Sequence, residues 1–207
     1  MSKIKLPHAS GNSMSIAAPA TNPASDLELK LPATIGSAGQ VLKNSGTAGT
    51  LEFGYPIEVD QWRLTTSFQG AIEPLANNLE RNDRNFTKIG DGMTVSSGYW
   101  TFPSTGIWKI EAVRDAFVDG DDREMRILIY RSTDGSSYGA ITENAGSVKD
   151  FNTNGYANIY SSAIFDVENT STHKVYFRVL NDNGNSYTAG RTDSNQTCFT
   201  FTRLGDT

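Results

Sequence analysis

The chain has 207 residues, with 23 Asp and Glu against 18 Lys and Arg and a net charge of −5 at pH 7. No cluster of Lys and Arg is present, which excludes a role in coating nucleic acid, because phosphate neutralisation needs clustered cations. One cysteine, Cys198, excludes an intrachain disulfide or a redox pair, and two histidines, His8 and His173, exclude a metal site built on several imidazoles.

Residues 1–55 read as the first of two regions, an N-terminal attachment segment. They are rich in Ala, Ser, Gly, Pro and Thr and hold no Trp, and no Tyr before Tyr55. Lys3 and Lys5 have no apolar stretch behind them, so no secretory signal is expected. No run in the chain approaches the ~20 apolar residues of a spanning helix, so membrane insertion is not expected either. Residues 14–19, with Met14 and Ile16, make a short apolar patch. Leu27, Leu29 and Leu31 alternate with Glu28 and Lys30, which predicts an isolated strand ended by Pro32. Residues 40–43 and 51–53 predict a hairpin around a Gly-rich loop. Such a segment cannot build its own core. It is either unordered or paired with other chains, and the regular apolar spacing favours pairing, with Met14, Ile16, Leu27, Leu29 and Leu31 as particle-anchoring residues.

Tyr55-Pro56 opens the second region, residues 56–207. Residues 61–68 predict a first strand. Residues 74–81 predict one or two helical turns with Pro74 near the first helical position, and 86–89 a short strand. The centre of the region is residues 98–113, which predict a hairpin. Trp100 and Phe102 share one strand face, Pro103-Ser104-Thr105-Gly106 carries turn chemistry, and Trp108, Ile110 and Ala112 share a face of the returning strand. Asp119, Asp121, Asp122 and Glu124 form the best acidic cluster. Their spacing fits no standard calcium loop, so a solvated turn is favoured over a cation held between subunits.

Residues 125–130 predict the next strand, in which Ile127, Leu128, Ile129 and Tyr130 are consecutive apolar positions. Consecutive strand residues point to opposite faces, so both faces need cover, from a neighbouring subunit, the N-terminal segment or a loop. This expectation places Ile127, Ile129 and Tyr130, together with Trp108, at a subunit interface. Asp134-Gly135 marks a hairpin turn, and residues 140–156 an exposed loop. Residues 158–167 and 173–180 predict two antiparallel strands joined by a polar bend. A polar loop over 181–197 leads to a last strand, 197–204, with Phe199 and Phe201 on one face and Cys198, Thr200 and Thr202 on the other. Short strands separated by turns, with almost no helical periodicity, predict an all-β sandwich.

Two resemblances follow from these residues. The aromatic hairpin 99–108, the strand 126–131, the pair 161–179 and the terminal run Phe199–Leu204 together resemble the jelly-roll heads of the superfamily of tumour necrosis factor and the complement globular heads. The resemblance implies a trimer about a three-fold axis with aromatics at the contact. The bend 168–172 lacks the Gly-Asp pair often found there in that family. Separately, residues 31–42 and 49–54, with the pattern Leu-Pro-x-x-x-Gly-x-x-Gly-Gln-x-Leu, resemble a segment that recurs in tail-fibre and virion structural proteins of marine and cyanobacterial bacteriophages. That resemblance implies a short β module linking an attachment tail to a distal domain.

The expected fold is therefore an all-β jelly-roll sandwich, trimeric, preceded by an extended N-terminal segment with short strands. The expected function is a non-enzymatic virion structural protein, a capsid decoration or short fibre made in the host cytoplasm and displayed on the particle surface. No cofactor and no nucleic acid is expected, and the partners are two further copies and other virion proteins. The alternative is a tail-fibre or receptor-binding module that recognises a host-surface glycan through Tyr138, Tyr156 and Tyr187. Hydrophilic loop tips are the simpler account of these tyrosines.

Overall fold

Gly106–Asp119 alternates buried and half-buried positions without a break from Gly106 to Val118. That period of two belongs to a strand with one face in a core. In the computed structural model this strand is the spine of the larger part of the chain. The structure describes residues 3–7, 10–17, 19–21, 23–45, 47–84, 86–149 and 153–207. The chain divides into two units, Met1–Gly54 and Tyr55–Thr207. Among the described residues there is no helix.

The first unit holds two small antiparallel hairpins. β1 (Lys3–Pro7) pairs with β2 (Ser13–Ala17), which sets Met14 opposite Leu6 and Ile16 opposite Ile4. β3 (Val41–Asn44) pairs with β4 (Leu51–Gly54), and the Ser45 N–H donates to the Thr50 carbonyl at 2.7 Å to close the turn. No strand forms at 27–31. Lys30 alone bridges to Thr50, and Leu27, Leu29 and Leu31 stay exposed.

The second unit contains β5 (Glu58–Leu64), β6 (Phe68–Gln69), β7 (Leu79–Arg81), β8 (Lys88–Ile89), β9 (Thr94–Ser96), β10 (Tyr99–Thr101) and the spine β11 (Gly106–Asp119). It continues through β12 (Asp122–Ser132), β13 (Gly139–Val148), β14 (Asn154–Val167), β15 (Lys174–Asn181), β16 (Tyr187–Thr188) and β17 (Cys198–Gly205). One sheet runs β13-β12-β15-β10-β9. The other is built on β11, with β14 along one side and β17 and β16 along the other. β5 lies beyond β17, with β7 and β8 outside it, and β6 lies beyond β16. All these pairings are antiparallel, as expected for a sandwich whose sheets each have one face in the core.

The core is aromatic. Trp100 is fully buried, with ring centroids at 5.1 Å from Trp62, 5.0 Å from Phe201 and 6.0 Å from Phe177. Phe102 lies 5.3 Å from Trp108 and 5.9 Å from Phe165. Edge-to-face and tilted pairs of this kind add to simple burial, because the ring quadrupoles are attracted in those orientations.

Several local expectations change. Residues 98–113 are not a hairpin, because β10 belongs to one sheet and β11 to the other. Pro103–Thr105 is the corner that carries the chain across the sandwich, so Trp100 and Trp108 enter the core from opposite sheets. The pair 158–167 and 173–180 is likewise split, with β14 in one sheet and β15 in the other. Both errors have one cause: antiparallel neighbours in sequence and strands facing each other across a core bear the same inward alternation. The expected helical turns at 74–81 are absent. The segment bends instead: the Leu75 N–H, like that of Ile72 just before the segment, donates to a β15 carbonyl (Phe177 at 2.8 Å, Val179 at 3.0 Å), and residues 79–81 form β7 against β5 in the other sheet. The described part of the expected loop 140–156 is mostly strand. β13 has few large apolar residues because much of its length is exposed, yet its ladder to β12 holds it in register.

Candidate functional site

In the register of β11 on β14, the odd-numbered residues of β11 and the even-numbered residues of β14 share the face turned away from the core. That face presents Ile107, Val113 and Phe117 from β11, and Tyr156, Tyr160 and Ile164 from β14. Tyr187 of β16 pairs opposite Phe117 and stacks on it, with centroids 4.9 Å apart and planes 4° from parallel. Tyr156 packs on the other side of Phe117 at 6.0 Å. Tyr156 is 69 % exposed, Tyr160 49 % and Ile164 67 %. Three large side chains at that exposure on one strand are a poor fit to a solvated face, because fully burying each stabilises by about 1.5–3 kcal/mol.

Three of the polar groups on this face are paired with one another. Lys109 makes an ion pair with Glu111 at 2.8 Å, and the Tyr160 hydroxyl donates to Glu111 at 2.5 Å. Partial burial pushes the Glu111 carboxyl upward. The hydrogen bonds from Lys109 and Tyr160 and the Lys109 charge outweigh that, and its pKa ends below the usual value. Asp115 has no such donors, and burial leaves its pKa raised. Cys198, opposite Val113, is half-buried on the same face, and burial pushes its thiol upward, so it is a poor nucleophile.

Beneath this face lies a buried charge. Arg114 points between the sheets and is fully buried. Its guanidinium donates to Thr188 Oγ1 at 3.0 Å, to the Arg126 and Leu180 carbonyls at 2.8 and 2.9 Å, and to the Asn181 side chain. It thereby ties β11 to β12 and β15 across the core. Burial lowers its pKa to about 10, opposed by the charge of Asp122. Asp122 is itself buried and accepts from the Glu124 N–H, the Asp182 N–H and Ser186 Oγ. The acidic cluster at 119–124 is thus divided, with Asp122 inside the fold. Among the described residues no group of three or more His, Cys, Asp or Glu side chains is placed to hold a metal ion.

The residues expected at the interface are placed elsewhere. Ile127, Ile129 and Trp108 are buried in the chain's own core and have no surface to give a neighbour. Tyr130 is on the far face of the other sheet, stacked on Tyr176 at 4.7 Å. The interface assignment is corrected for Ile127, Ile129 and Trp108. Two-sided apolar character is also present in β14, where Ile159-Tyr160 and Ile164-Phe165 are adjacent apolar pairs with one member inward and one outward. The three tyrosines named for sugar binding are also separated. Tyr156 and Tyr187 flank Phe117 on the face just described, whereas Tyr138 lies against Tyr99 and Tyr176 at 5.2 and 5.1 Å. In the first unit Ile16, Leu27, Leu29 and Leu31 are all largely exposed, and Met14 lies in β2.

No protein-family model matches the chain, and no curated protein matches it. Solved structures do. The Eiger tumour necrosis factor of S. frugiperda superposes with a TM-score of 0.57 at 12 % identity, over 73 % of this chain and 95 % of that one. Murine APRIL at pH 5.0 superposes with a TM-score of 0.51 at 11 % identity, over 72 % of this chain and 99 % of that one. At such identities the likeness is one of fold, and it shows that the chain carries the jelly roll of tumour necrosis factor.

Proposed function

We propose that the chain is a non-enzymatic structural protein of a bacteriophage particle, a capsid decoration or short fibre. In this reading residues 55–207 form a trimeric jelly-roll head and the N-terminal unit anchors it to the virion. The observation that carries the trimer is the exposed row Tyr156, Tyr160 and Ile164 beside Phe117 and Tyr187. Closed symmetry about that face covers each row with a neighbour's and leaves no further apolar surface open to growth. The jelly-roll fold supports it, since the trimeric heads the sequence resembles have this fold. In the N-terminal unit, Leu27, Leu29 and Leu31 remain exposed on a stretch that belongs to neither hairpin, which suits a segment completed by other chains. The phage setting rests on the resemblance of residues 31–42 and 49–54.

Antibodies raised against residues 55–207, applied to intact purified particles that contain the chain by mass spectrometry, test this reading. Surface labelling of unbroken particles is expected. Labelling only after disruption, or no association of the chain with particles, contradicts it.

A further inference from the structure

The five-stranded sheet carries a second aromatic patch on its outward face. Tyr99 of β10, Tyr130 of β12 and Tyr176 of β15 project from that face, and Tyr138 comes from the segment joining β12 to β13. Tyr176 is the hub, at 5.6 Å from Tyr99, 5.1 Å from Tyr138 and 4.7 Å from Tyr130. Its hydroxyl donates to Glu73 at 2.6 Å, and Glu73 in turn pairs with Arg178 at 2.9 Å. These contacts fix the ring positions from behind.

In front of Tyr99 and Tyr138 opens a groove of about 400 Å³, lined also by Ser96, Thr101, Ser136 and Lys174. The wall at Ser136 is a hydrogen-bonded turn. The Asp134 carboxylate accepts the Ser136 and Ser137 N–H groups at 2.8 and 2.7 Å and the Ser132 hydroxyl at 2.9 Å, which holds its pKa well below the usual range and pins the turn. Lys174 donates to Thr101 Oγ1 at 2.9 Å, and no ion pair neutralises it among the described residues. Aromatic faces, hydroxyls and one uncompensated ammonium in one concave site are complementary to a ligand with C–H faces, many hydroxyls and a carboxylate.

We propose that this groove binds an acidic saccharide. A hexuronate ring lies against Tyr99 and Tyr138, its carboxylate meets Lys174 Nζ, and its hydroxyls bond to Ser96 and Ser136. The inference goes beyond the assembly role and stands apart from it, because every lining residue comes from one chain, from the five-stranded sheet or the loop joining β12 to β13, away from the face proposed for assembly.

The test is calorimetric titration of the full chain with tetrasaccharides of galacturonate, of alginate and of heparosan, each beside its carboxyl-reduced neutral counterpart. Saturable binding of at least one uronate is expected, about tenfold tighter than its neutral form. Tyr138→Ala weakens it by about tenfold or more, Lys174→Gln removes the preference for the charged form, and Lys174→Arg retains it. Tyr187→Ala, on the other sheet, leaves it unchanged. Unaltered melting temperatures show that the variants are folded. No binding of any uronate at concentrations up to about 10 mM overturns the proposal, as does equal affinity for charged and neutral forms, or binding that survives Tyr138→Ala. None of these outcomes alters the state of assembly, so failure here is distinct from failure of the virion reading.

Discussion

The Tyr160 hydroxyl donates to the Glu111 carboxylate at 2.5 Å across the β11–β14 ladder, on the face where Lys109 holds the same carboxylate from its own strand. On the face proposed for assembly, Lys109 and Glu111 are thus a paired set, whereas Asp115 is a carboxylate without such donors. Lys109 and Glu111 neutralise each other, and the tyrosine adds a second donor to the same carboxylate oxygen, so this pair is covered at lower cost than a lone ion. The apolar rows on either side are what a neighbour gains by covering them.

Ile164→Asp and Tyr156→Asp place an unpaired carboxylate on that face without touching the inward-facing core of β14. Each is expected to lower the solution mass from trimer to monomer while leaving the far-ultraviolet circular dichroism of the chain intact, because a buried unpaired charge is not tolerated at a contact. Light scattering reads the first effect. A variant that stays trimeric shows that the face is not the contact.

Two carboxyls on this face predict opposite responses to pH. Glu111 has a lowered pKa in the folded chain, so its folded form holds fewer protons than the unfolded chain near the reference value of 4.5. It contributes stability that is present above that value and lost as pH falls through the lower folded value. Asp115 has a raised pKa, so its charged form is disfavoured on folding, and stability is gained as pH falls through its folded value. Thermal melts between pH 3 and 7 check this. Glu111→Gln is expected to make the acid-side decline shallower, and Asp115→Asn to raise the melting temperature at pH 7.

Arg114 supports from inside the face proposed for assembly. Arg114→Ala leaves Asp122 without its buried counter-charge and removes the hydrogen bonds that tie β11 to the Arg126 and Leu180 carbonyls. The expected cost is about 3–5 kcal/mol, read as a lower midpoint in urea. Replacing both residues, Arg114→Met with Asp122→Asn, is expected to recover part of that loss, because neither variant side chain then carries an unpaired charge.

Gly106 opens β11 at φ 137°, and a Cβ there would collide with the Gly205 carbonyl and with Arg203. Gly106→Ala must therefore shift the corner that carries the chain between sheets. A loss of about 1–3 kcal/mol is expected from backbone strain alone, visible as a lower melting temperature with the aromatic near-ultraviolet signal retained.

The two-sheet, all-β character was legible in the sequence because inward alternation is strict in β11 and repeated in β17. The core residues Trp100, Phe102, Trp108, Phe199 and Phe201 follow from it directly. Strand partnership was not legible. The alternation of β10 and β11 is the same whether they pair side by side or face each other across the core, and only the corner at Pro103–Thr105 decides it. The face proposed for assembly was missed for a related reason. Consecutive apolar residues at Ile127–Tyr130 and at Ile159–Tyr160 raise the same demand for two-sided cover. In β12 the demand is met within the chain, where Leu128 is buried and Tyr130 stacks on Tyr176. In β14, Tyr160 and Ile164 remain exposed. The roles of Arg114 and Asp122 depend on residues more than fifty positions apart and left no local signal.

The absolute mass in solution, by light scattering, of the full chain and of residues 55–207 tests the central claim most directly. The second unit has its own aromatic core and can be measured alone. The account predicts three times the chain mass of 22.5 kDa for the full protein and a trimer for residues 55–207 as well. A monomer in both contradicts it, and a trimer only when residues 1–54 are present would move the assembly contact away from Tyr156, Tyr160 and Ile164.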